Sequence, residues 1–220
     1  MSPTLTEQTD GTRRRREERK AQNRAQLLAA ARKVFAEKGL EGATARDIVR
    51  ETDLATGTFY NYFSDKDEIF SALLEEVSAK ARPRVRAERL REGATLEERM
   101  EAAYRAYFEL AVEERELFLV LQRNAGAIAM MSGEEIFDAG VRELFEDIAA
   151  WVQAGELQGL RPESPEVQYL ATAMAGMGFH IANRLVAEAH ADVEGAARFC
   201  ARLILSGMRE PDGAAGRFSR

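Results

Sequence analysis

The chain has 220 residues, 45% hydrophobic and 31% charged, with a net charge of −6 and one cysteine, Cys200. That apolar fraction supplies a real core for one sizeable domain or two small ones and excludes a disordered polypeptide, while the net acidity argues against indiscriminate polyanion binding. A lone cysteine excludes an internal disulfide, and with no charged-then-apolar leader and no ~20-residue apolar run the expected compartment is a reducing cytoplasm, with no membrane partner.

The sum hides an asymmetry. Residues 12–70 carry a net +3 and residues 71–220 a net −7, so any attraction for phosphate belongs to the first third. Arg13 to Arg16, Arg19 and Lys20 form a basic run, expected as a flexible arm over residues 1–18. A first helix is predicted from Arg19 to Lys38, with Leu27, Leu28, Ala31, Val34 and Phe35 on one face and Gly39 as its stop. A short second helix starts at Thr44, where Thr44 and Asp47 have capping-box spacing, and turns Ile48 and Val49 inward before ending near Thr52.

The stretch "ATGTFYNYFSDKDE", residues 55–68, packs four aromatic residues into five positions. At about 100° per residue Phe59 and Phe63 share one face of a short helix, while Thr58 and Tyr62 share another. The phenylalanines pack inward; Thr56, Thr58, Tyr60, Asn61 and Tyr62 then form an exposed row of hydroxyls and an amide, groups that bond phosphates and touch base edges in the major groove. Gly57 allows close approach of a backbone at the helix start. With the preceding helix and the turn "ETDLAT", the spacing is that of a helix-turn-helix, in which the second helix enters the groove.

A fourth helix is predicted from Ser64, with Asp67 three positions on and Ile69, Phe70, Leu73, Leu74 and Val77 at helical spacing; Pro83 leaves its end open. Longer helices follow over Thr95–Val112, Glu114–Met130, Gly133–Ala154, Pro165–Glu188 and Val193–Met208, and residues 210–220 read as a disordered tail. Ala171, Ala175, Gly178 and Ala182 make a small-residue stripe on which a second helix can approach closely, within the chain or from a partner. Tyr104, Tyr107, Phe108, Phe118, Leu121, Asn124, Met174, Met177 and His180 mix polar or soft groups with apolar neighbours, as expected for a hydrophobic ligand pocket or for ordinary core positions.

From Thr44 to Val77 the sequence resembles the DNA-binding region of the tetracycline-repressor (TetR) family, on the pattern "GTFY-x-YF-x-x-K-x-x-(L/I)". The resemblance implies an all-α fold: an N-terminal three-helix DNA-binding domain over residues 19–66, joined to a helical regulatory and dimerisation domain over residues 67–209. It also implies that Thr44, Tyr62 and Lys66 meet phosphates and that Arg46, Thr56, Thr58, Tyr60 and Asn61 face the groove. The implied partners are double-stranded operator DNA, a second copy of the chain and a small-molecule effector, with no cofactor or metal. Where relatives carry "AGVSK" or "AGVSR" in the turn this chain has "TDLAT", which places Thr56 in the position of a basic residue.

The expected function is a homodimeric, ligand-responsive repressor reading a pseudo-palindrome; the alternative is an effector-independent architectural or division-site factor using the same motif. No enzyme is expected. His180 and His190 fall about 80° apart and nearly three turns distant on any shared helix, no G-x-S-x-G, H-E-x-x-H or P-loop occurs, and "GMGFHI" lies in a helical pattern with no strand before it.

Overall fold

A computed structural model describes residues 5–131 and 136–208. Among them are ten helices and no strand: α1 (Leu5–Gly42), α2 (Ala45–Arg50), α3 (Thr56–Phe59), α4 (Lys66–Arg89), α5 (Leu96–Glu113), α6 (Arg115–Arg123), α7 (Ala125–Met131), α8 (Ile136–Gln153), α9 (Pro165–Ala187) and α10 (Val193–Met208). The expected all-α architecture is the observed one. The predicted helix start at Gly133 and the tail over residues 210–220 lie outside the described residues.

The arm expected over residues 1–18 is, from Leu5 onward, the first half of α1. Arginine, glutamate, alanine and glutamine all favour helix, and the Arg13–Glu17 and Arg14–Glu18 pairs add i,i+4 support, so nothing in the composition stops the helix short of Gly39. Gly39 then does stop it. Its φ of 71° and ψ of 168° lie in a region that side chains avoid, and the chain turns toward α2.

The predicted capping box of Thr44 with Asp47 forms before α2, and Thr95 forms another with Glu98 before α5. The cap of α4 is one residue later than expected. Asp65, not Ser64, accepts the N–H groups of Asp67 and Glu68, while the Ser64 N–H donates to Glu68 Oε2 at 2.5 Å. Pro83, on the exposed face, does not end α4, which continues to Arg89.

Leu27, Ala31, Val34 and Phe35 of α1 meet Ile48 of α2, Phe59 and Phe63 around α3, and Ile69 and Phe70 of α4 in a first core. The Phe35 and Phe70 rings pack edge to face with centroids 5.2 Å apart. This core continues through Phe108 and Phe118 into the larger helical unit. There α5 packs between α4, α9 and α10, and a second core forms around Met100, Ile148, Trp151, Val167 and Met174. No described helix is long and apolar enough to cross a membrane.

Candidate nucleic-acid interface and internal cavity

Phe59 is fully buried and Phe63 nearly so, which fixes the roll of α3 and the turn after it. Thr56, Gly57, Tyr60 and Asn61 consequently face outward, with Tyr60 60% exposed. A Cβ added at Gly57 would meet nothing within 4 Å, so the surface beside it is open to an approaching backbone. Thr58 and Tyr62 are half-buried, Tyr62 packing against the first core. The turn is held by its own polar groups: the Thr52 hydroxyl donates to Val49 O at 2.8 Å, and the Leu54 N–H donates to that hydroxyl.

On α2, Arg46 and Arg50 are exposed. Thr44 is exposed, but its hydroxyl is engaged with Asp47 as the cap. The Lys38 ammonium donates to Asp47 Oδ1 at 2.7 Å and, with the Thr44 hydroxyl, holds the Asp47 carboxyl down to about 2. That carboxylate braces α2 against the end of α1.

Lys66 has a structural task. Its Nζ donates to Leu40 O at 2.8 Å and to Glu41 O at 3.3 Å, closing the carbonyl end of α1 onto the start of α4. Between the same carbonyl end and α6 lies Asn124. Gly39 frees the Leu40 N–H from the helical ladder, and Asn124 Oδ1 accepts it at 2.6 Å; the Asn124 amide donates to Val120 O at 2.7 Å. One buried side chain thus fastens the C-terminal end of α1 to α6.

A cavity of about 200 Å³ lies between α4, α5, α8 and α9. Leu74, Val77, Ala81 and Val85 form the α4 wall, with Met100, Tyr104, Leu144, Trp151 and Met174 opposite. Of the residues expected to hold a ligand, Tyr104, Tyr107, Leu121 and Met174 line it, and so do Ala175 and Gly178 from the small-residue stripe. Phe108 and Phe118 are buried beside it in the first core, Met177 packs against that core, His180 is exposed on the outer face of α9, and Asn124 holds Leu40. Tyr104 donates to Met174 O at 3.1 Å, and burial pushes both the Tyr104 and Tyr107 phenols up, so they remain neutral donors. Burial likewise pushes the Cys200 thiol up to about 11, consistent with a packing role.

The stripe of Ala171, Ala175, Gly178 and Ala182 is not a partner surface. Ala171 and Ala182 are fully buried within the protomer, and a Cβ at Gly178 would lie 3.4 Å from Tyr104 Cε1, so the small residues let α5 and its tyrosines approach α9. The outer face of α9 and the neighbouring α10 instead expose Tyr169, Phe199 and Leu203, each more than half accessible. Sequence reasoning missed the α4 wall; its signal was the continuation of the Leu74, Val77, Ala81, Val85 stripe past Pro83.

The short outward-facing helix thus completes a helix-turn-helix, carried on a helical bundle with an apolar cavity. Residues 27–73 match the family model for bacterial regulatory proteins of the tetR family. It is 40% identical over 58 residues to the HTH-type transcriptional repressor AcnR of Corynebacterium efficiens, a match covering 26% of this chain and 31% of that repressor. Matches to curated relatives of this kind span about a third of their length. A longer likeness, 26% identity over 136 residues, joins it to the fatty acid metabolism regulator protein of Bacillus subtilis, covering 60% of this chain and 70% of that protein. The crystal structure of the transcriptional regulator FadR from Bacillus subtilis, solved in complex with stearoyl-CoA, superposes with a TM-score of 0.69 at 23% identity, covering 84% of this chain and 99% of that one.

Proposed function

We propose that the protein is a homodimeric transcriptional repressor that binds a pseudo-palindromic operator and is released by a small hydrophobic effector carrying an acyl chain. The observation that carries the reading is that α4 is shared: its first turn is clamped to the DNA-binding unit by Lys66, and its middle is a wall of the apolar cavity. A ligand that moves the wall moves the recognition helix. The cavity volume is below the roughly 300–1,000 Å³ of drug-sized ligand sites, so a chain-like ligand must push α4 and α8 apart to be accommodated. The fatty acid regulator among the relatives, and the stearoyl-CoA bound to its structural neighbour, support acyl compounds as the first class to test.

On the DNA side, Thr56, Gly57, Thr58, Tyr60 and Asn61 face the groove, with Arg46 beside them and Thr44, Tyr62 and Lys66 around the phosphate contacts. Thr44 and Lys66 serve mainly through the backbone they hold. Arg46→Ala is expected to weaken operator binding about tenfold or more and to relax preference at particular base pairs, read by fluorescence anisotropy against a set of operator variants. Uniform weakening across all variants would place Arg46 on phosphate alone and remove it from base recognition.

The dimer forms through Tyr169 and the exposed positions around it on α9, with Phe199 and Leu203 one turn apart on α10, giving a four-helix bundle with the partner's pair. A two-fold dimer sets two recognition helices about one DNA turn apart. Introducing charge through the double substitution Phe199→Glu and Leu203→Glu is expected to give a folded monomer in analytical ultracentrifugation, with operator affinity lost. An intact dimer in that variant would put the interface elsewhere.

A further inference from the structure

Arg89, at the last turn of α4, is 8% exposed and lines the cavity. Its Nε donates to the buried Asp147 of α8 at 2.7 Å. Its two terminal nitrogens donate no hydrogen bond to another described residue. One and two turns back along the same seam, Arg86 and Arg82 both pair with Glu143, the Arg86 contact at 3.8 Å. Three guanidinium groups therefore face two carboxylates along the α4–α8 seam, of which Arg82, Arg89 and Glu143 reach one end of an otherwise apolar cavity.

Asp147 matches the buried Arg89 charge through Nε alone, and a guanidinium offers further parallel N–H donors spaced for a carboxylate. We infer that Arg89 anchors the anionic head of the effector, and that this head is the carboxylate of a free medium- or long-chain acid with its tail along Leu74, Val77 and Ala81. The inference rests on the reading of the cavity as the effector site. A coenzyme A thioester would present its anions as phosphates on a bulky nucleotide, which must stay outside and meet the half-exposed Arg82 and Arg86 instead of Arg89. The two sources of negative charge thus fall on different arginines.

Trp151 lines the cavity and is the only tryptophan of the chain, so its fluorescence reports occupancy directly. Decanoate, 1-decanol and decanoyl-CoA are titrated into the full-length dimer, into Arg89→Met, and into the double variant Arg89→Met with Asp147→Leu. The double variant removes the buried pair together and so avoids stranding an unpaired Asp147. Decanoate is expected to bind the native protein about tenfold or more tighter than decanol, with that preference abolished in both variants and decanol binding retained. Equal binding of decanoate and decanol by the native protein overturns the assignment of Arg89. Preferred binding of decanoyl-CoA that is lost in Arg82→Ala and kept in the Arg89 variants overturns it in favour of phosphate recognition at the rim. Binding of none of the three probes to the native protein overturns the acyl-effector reading itself.

Discussion

Asn124→Leu will uncouple the effector from the operator. The substitution keeps the branching and heavy-atom count of the side chain but removes the oxygen that accepts the Leu40 N–H at 2.6 Å, and Gly39 leaves that N–H no helical acceptor to return to. A buried donor without a partner costs about 1–3 kcal/mol, a sizeable share of the roughly 5–15 kcal/mol by which domains of this kind are stable. The expected loss in urea denaturation is in that range. The sharper readout is functional: Leu121, one turn before Asn124, lines the cavity, and Asn124 supplies the buried polar link from α6 to the end of α1 beside their apolar packing. The variant is expected to bind the operator as the native protein does and to be released less by the effector. Unchanged release would reduce Asn124 to a static brace and leave α4 as the sole connection.

Phe35→Ala is expected to have the largest effect on stability, about 3–5 kcal/mol. Phe35 is fully buried at the point where α1 crosses α4, edge-on to Phe70, and its neighbours Ile48, Phe59 and Ile69 come from three other elements that cannot all collapse into the space left. Because this core belongs to the DNA-binding unit, operator binding should be lost at temperatures at which most of the helical circular dichroism remains. A midpoint within about 1 kcal/mol of the native protein would show that the three-helix unit relaxes around the gap.

The recognition motif was legible because its chemistry is local. Phe59 and Phe63 are spaced to be buried together, and once they are, Tyr60 and Asn61 have only one way to face. The cavity was harder to see because its walls come from helices far apart in the chain, so a lining residue such as Tyr104 and a core residue such as Phe108 carry the same apolar signal four positions apart. The small-residue stripe on α9 shows the same limit. Spacing establishes that something packs closely on Ala171, Ala175, Gly178 and Ala182; whether it is α5 or a partner's helix depends on which side of α9 the tyrosines occupy. Asn124 was drawn to the ligand list as a polar group among apolar ones, and only the break at Gly39, 85 residues earlier, explains why an amide is needed there.

The basic half of α1 bears on how fast the protein finds its site. Arg13 to Arg16 are consecutive on a helix, so at about 100° per residue their charges point around the whole circumference instead of along one face. A charge presented on all sides attracts a phosphate backbone from any direction of approach but cannot set a register on it. On the proposed function, such a segment would lengthen the time the protein spends close to DNA and raise the frequency of productive encounters, an effect that fades as ionic strength rises, while the choice among sequences would stay with the few side chains around α3.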